Sequence, residues 1–209
     1  MKKMSNKYWL TALREMLSEL ELVDRDPRIA IIGVGHVLCG DDAAGVIAAK
    51  TLYDAYQDQD RVLILFGGSA PENLSGSLRR YAPDLVIMID AADFSDTPGA
   101  IRWLDWRTTS GLSASTHTLP LRLVCSYLTE EIGCSVALLA IQPARVSYGP
   151  MSREVDRSTQ EIVQGFIDTI PIHSQLCVNA DHLSSKSKQH SNGVHPHRTV
   201  DHMKEHRPR

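Results

Sequence analysis

No hydrophobic run in this 209-residue chain approaches the ~20 residues that a membrane-spanning helix needs, so a helical membrane protein is excluded as the expected class. A charge excess is also missing. The 22 Lys+Arg stand against 25 Asp+Glu, a formal net charge of −3, and no global field favours nucleic acid or an anionic membrane as a partner. Cysteines are few: Cys39, Cys125, Cys134 and Cys177 contain no CxxC pair and are too sparse for a disulfide scaffold. After the basic Met1-Lys2-Lys3, further charges precede any apolar segment, so the start does not read as a signal peptide. These absences make a cytoplasmic protein with reduced thiols the expectation. What remains is ordinary globular material, 43% hydrophobic and 22% charged, of a length that suits one domain of about 150 residues with appendages.

Residues 1–26 read as an appended amphipathic helix, with Trp9, Leu10, Leu13, Met16, Leu17 and Leu20 at helical spacing and Asp26-Pro27 as its stop. From Arg28 the chain alternates apolar runs with helical stretches. Ile29–Val34, Val62–Phe66, Leu85–Ile89 and Val136–Ile141 predict strands, and Ala100–Leu104 a further one. Helices are predicted from Asp42 to about Tyr56, near Glu72–Tyr81, over Leu119–Glu130 and over Ser152–Ile170. That alternation predicts an α/β fold over residues 27–171: a doubly wound, mostly parallel sheet with helices on both faces, whose site lies outside the carboxyl ends of the strands. From His173 periodicity vanishes. Residues 172–209 hold seven of the nine histidines, and their low hydrophobicity predicts a disordered, His-rich tail.

Three side chains fall where such a sheet collects its chemistry. The loop Gly33-Val34-Gly35-His36-Val37-Leu38-Cys39-Gly40-Asp41-Asp42 leaves the first strand and opens the first helix. Its GxG invites comparison with a dinucleotide fingerprint, but Leu38 stands where the third glycine belongs, and two carboxylates would repel a phosphate. Asp41 is explained as an N-cap, which leaves Asp42 over for another task. Asp90 ends the third strand, with Asp93 three residues on; taken alone it reads as an exposed turn aspartate. His117 precedes a helix. Two carboxylates and an imidazole form an O,O,N set suited to a borderline divalent ion with open positions. No HExxH or other short metal signature supports it. Cys39 has only His36 beside it as a base, and its neighbours Val37 and Leu38 predict a packed or loop cysteine rather than a nucleophile.

The ordered segments Gly33–Gly45, Gly67–Asn73, Ile89-Asp90-Ala91, Ser115–Pro120, Ile141-Gln142-Pro143 and Gly149-Pro150-Met151 resemble the hydrogenase maturation endopeptidases, of the type acting on the formate-hydrogenlyase hydrogenase. The likeness spans roughly residues 28–170. It implies an endopeptidase that removes a C-terminal peptide from the nickel-loaded precursor of a [NiFe]-hydrogenase large subunit. It further implies that Asp42, Asp90 and His117 contact nickel and carry the catalysis, and that the nickel is presented by the precursor rather than permanently bound. The metal or one carboxylate would activate the attacking water. Two positions depart from the family pattern: His36 replaces a usual Asn, and Phe66 a usual Asp before Gly67-Gly68. The expected partner is the precursor alone, with no nucleic acid and no membrane span, and the expected state is a monomer. Two other readings are a nickel-binding maturation accessory protein without peptidase activity, and a nucleotide-binding domain.

Overall fold

In the computed structural model, which describes residues 8–20, 25–108 and 120–172, the apolar runs form one five-stranded sheet. Its strands are β1 (Ile29–Val34), β2 (Val62–Gly68), β3 (Leu85–Ala91), β4 (Ile101–Leu104) and β5 (Ser135–Ile141), in the order β2-β1-β3-β5-β4. The first four strands in that order are mutually parallel, and β4 runs antiparallel to β5 at the edge. The helices are α1 (Tyr8–Glu19), α2 (Ala44–Tyr56), α3 (Ser75–Tyr81), α4 (Leu121–Tyr127) and α5 (Arg153–Thr169).

The central strands explain their own composition. Every residue of β1 and of β3 is buried, because helices cover both faces of the sheet. Alternate side chains serve different cores, as strand geometry requires. Ile29, Ile31, Ile87 and Ile89 meet α1, α2 and α5 residues such as Trp9, Leu52 and Phe166. Ala30, Ile32, Val34, Val86 and Met88 meet Leu78 of α3 and Val124 and Cys125 of α4. The fold is thus α/β and doubly wound. The chain leaves β1 to one side to form β2 and returns to the other side to form β3, so a topological switch point lies between β1 and β3.

Boundaries move in instructive ways. Helix α1 ends at Glu19, seven residues before Asp26, so Pro27 is not its stop. The helix packs into the main core. Trp9 and Leu13 are buried, the Trp9 ring stacks on Phe166 with centroids 6.2 Å apart, and Trp103 Nε1 donates to Trp9 O at 2.8 Å. The buried Tyr56 hydroxyl donates to Phe166 O and Ile170 O, tying the end of α2 to the end of α5. Burial and the nearby Asp168 push its pKa up to about 12, which keeps it a donor. The described residues form one compact unit, and the His-rich segment lies outside them. Among the described residues no helix is long and apolar enough to cross a membrane.

Candidate functional site

The switch point is built by close backbone approach. Gly45, in the first turn of α2, has no room for a side chain: a Cβ there would lie 2.1 Å from Ile89 O and 2.4 Å from Val34 O. Helix α2 therefore sits directly on the carboxyl ends of β1 and β3. Just before it, Gly40–Ala43 form a 3₁₀ turn that packs against β3. Gly35, at φ +122°, lets the chain pass Asp42, since a Cβ would fall 1.8 Å from Asp42 O. Of the two GxG glycines, Gly35 thus admits the backbone of Asp42, while Gly33 admits α2 at Gly45 and Ala49.

Asp42 is fully buried in the 3₁₀ turn, and its Oδ2 accepts the His36 N–H at 2.8 Å. Asp90 is 2% exposed and belongs to β3 itself, paired in register with Ala140 of β5, so it is not an exposed turn residue. The fold brings the turn of Asp42 against the strand of Asp90. His117 lies outside the described residues. Among the described residues, no three His, Cys, Asp or Glu side chains group closely enough to hold a metal ion.

Asp41 does not cap a helix. Its buried carboxylate reaches across to the segment following β5: Oδ2 accepts the N–H of Ala144 at 2.7 Å and of Arg145 at 3.0 Å, and Oδ1 accepts that of Ser152 at 2.6 Å. Burial alone would push its pKa up, but these N–H groups outweigh burial and hold the carboxyl below the ordinary aspartate range. Backbone bonds reinforce the link. Gly40 N donates to Gly149 O, Gly149 N to Leu38 O, and Asp41 N to Arg145 O, at 3.1, 3.1 and 3.3 Å. The loop bearing Asp42 is therefore held rigidly by the loop after β5.

A second brace orders the loop that follows Asp90. Gln142 is nearly buried; its Oε1 accepts Phe94 N and Asp96 N, and its Nε2 donates to Asp93 Oδ1 at 3.1 Å. Asp93 is exposed and also accepts Ser95 N, so it shapes the loop after β3. Gln142 and Ser152 fall in segments the sequence singles out, but these contacts could not be read there, because the partners lie about 46–111 residues away and no local spacing reports them.

The thiols separate sharply. Cys125 and Cys134 are buried, and burial pushes Cys125 up to about 12 and raises Cys134. Cys39 is partly exposed, with Sγ 3.5 Å from His36 Nδ1. That same Nδ1 accepts the Leu38 N–H at 3.2 Å, so its lone pair is already engaged and the imidazole is a poorly placed base for the thiol. Cys39 is thus a loop cysteine, and its neighbours Val37 and Leu38 are exposed. Phe66 stands in β2 opposite Gly33, half-exposed, with its ring 5.7 Å from that of Tyr53.

Comparison with known proteins gives a consistent result. A family model described as hydrogenase maturation protease matches residues 46–170. The hydrogenase 3 maturation protease of Escherichia coli K12 is 32% identical over 136 residues, covering 64% of this chain and 85% of that protein. The crystal structure of the [NiFe] hydrogenase maturation protease HycI from Thermococcus kodakarensis superposes with a TM-score of 0.64 at 32% identity, covering 73% of this chain and 94% of that one. The solution structure of the endopeptidase HycI from Escherichia coli gives a TM-score of 0.58 at 31% identity, over 66% and 87% of the two chains.

Proposed function

This chain belongs to the hydrogenase maturation protease family, and on that premise we propose that it removes a C-terminal peptide from the precursor of a [NiFe]-hydrogenase large subunit after nickel has entered that precursor. The observation that carries this reading is the pair of buried carboxylates, Asp42 and Asp90, on adjoining elements at the switch point. Two carboxylates on adjoining buried elements present oxygen donors of the kind that a divalent ion delivered by the substrate takes.

In this reading Asp42, Asp90 and His117 complete the coordination of the precursor's nickel, and the scissile bond is fixed by the ion it follows. Oxygen and imidazole donors suit a borderline divalent ion. An incomplete set of three binds a free ion weakly, yet adds strongly to an ion already held by other ligands. Recognition of maturity and cleavage then share one site. Water is the nucleophile, activated beside the ion or by a carboxylate. Cys39 takes no covalent part, since the Nδ1 of His36 beside it is engaged by the Leu38 N–H.

The experiment is a processing assay with Asp42→Asn and Asp90→Asn on nickel-loaded precursor, followed by the precursor's mass. Each variant keeps nearly the same shape and loses the anionic ligand, so processing is expected to stop while the thermal transition stays close to wild type. Processing at the wild-type rate by either variant rules out the assigned role of that carboxylate.

A further inference from the structure

The turn His36–Cys39 is closed by Cys39 N donating to His36 O at 3.0 Å, and both of its ends are bound to Asp42. His36 N donates to Asp42 Oδ2, and Asp42 N donates to Cys39 O. The tip between those ends is Val37-Leu38, 59% and 53% exposed. Turn tips ordinarily carry Gly, Asn, Asp or Ser, which satisfy the turn's backbone and face water. Two branched apolar side chains there contribute nothing to the turn and leave apolar surface in solvent.

The second loop presents the same feature. Tyr148 is 83% exposed and Val146 is also exposed, and Gly149 next to Tyr148 is bridged to Leu38 and Cys39. Neither 36–39 nor 146–151 contains Asp, Glu, Lys or Arg. The patch is apolar with an exposed tyrosine, and the exposed Arg145 borders it, its guanidinium donating to Pro150 O at 3.2 Å; aliphatic, tyrosine and arginine side chains together have the composition of an interface. It is also pre-ordered, because Asp41 and the bonds through Gly149 hold both loops before any partner arrives.

We propose that Val37, Leu38 and Tyr148 form the docking lip for the precursor polypeptide, receiving apolar side chains of the segment that flanks the scissile bond. This rests on the proposed processing function, and the occupant follows from continuity: the lip is the tip of the very turn that closes on Asp42, so a chain delivered to Asp42 passes over it. The lip confers substrate selectivity by apolar contact, while Asp42 and Asp90 address the ion.

The test is the double variant Leu38→Ser, Tyr148→Ser, read in two assays. Calorimetry measures the Kd for nickel-free precursor, which needs no cleavage, and steady-state processing of nickel-loaded precursor separates KM from kcat. Because both side chains are exposed, the thermal transition is expected to be unchanged. The expected result is a rise of about tenfold or more in Kd and KM with kcat within about twofold. Unchanged Kd and KM overturn the lip, as does a fall in kcat at constant KM. Loss of self-association with unaltered precursor Kd also overturns it, by assigning the patch to a second copy of this chain. If the wild type leaves loaded precursor uncut, the processing reading fails, and the Kd comparison still decides the lip.

Discussion

The carboxyl edge of the sheet and the flank where α1 packs are both well ordered, but by different means. At the flank, apolar volume sets the packing: Trp9 stacks on Phe166, and only glycine fits at position 165 because a Cβ would lie 2.4 Å from the Trp9 ring. At the carboxyl edge a buried carboxylate gathers three backbone N–H groups, and glycines admit neighbouring backbone. The first arrangement stabilises the fold and is indifferent to pH. The second holds the turn that carries Asp42 through a buried charge, so its contribution to stability depends on pH. The contrast separates what the chain needs in order to fold from what it needs in order to act.

The most severe way to break that contrast is Asp42→Asn, expected to lower processing by about 10³-fold or more with little change in melting. Mass spectrometry of the precursor and a thermal melt check the two halves; a large melting change with activity retained inverts the assignment. At the flank the opposite pattern holds. Trp9→Ala is expected to cost about 3–5 kcal/mol of stability, visible in denaturant unfolding, while processing by the folded fraction is preserved. An unchanged unfolding midpoint would mean that α1 is a mere attachment.

Asp41→Asn sits between the two. An amide cannot accept at both of its ends, so one of the Ala144, Arg145 or Ser152 N–H groups is left facing a donor, at a cost of about 1–3 kcal/mol. The pH dependence sharpens the point. Because the folded pKa of Asp41 lies below its unfolded value, its stabilising contribution is complete above the ordinary aspartate value near ~4 and is lost as pH falls through the lowered folded value. The stability gap between wild type and Asp41→Asn is therefore expected to be constant near neutrality and to close in acid. A gap that widens in acid contradicts this account. The smallest effect is expected of Cys39→Ser, with processing within about twofold of wild type, since the proposed reaction uses water and not the thiol; a dead variant would restore it as nucleophile.

Legibility followed the range of the interaction. Strands β1 and β3 could be read directly, because burial on both faces leaves an uninterrupted apolar run. The end of β2 could not, since Gly67 and Gly68 carry no strand signal and are drawn in by the Gly35 N to Gly68 O bond. Asp90 looked like a turn because a charge at the end of an apolar run usually is one; only its pairing with Ala140 carries the strand past it. The position of Asp42 and Asp90 at one edge followed from the alternation of elements. The true use of Asp41 did not, because its partners are 103, 104 and 111 residues away in the chain. A cap is a local pattern; a clamp between distant loops is not.

The central claim is that cleavage reads the metal state of the substrate through Asp42 and Asp90. Its most direct measurement incubates the purified protein with nickel-loaded precursor and, in parallel, with the same precursor lacking nickel, and follows both masses over time. The account predicts loss of a C-terminal peptide from the loaded precursor alone. Equal cleavage of both forms, or of neither, would contradict it.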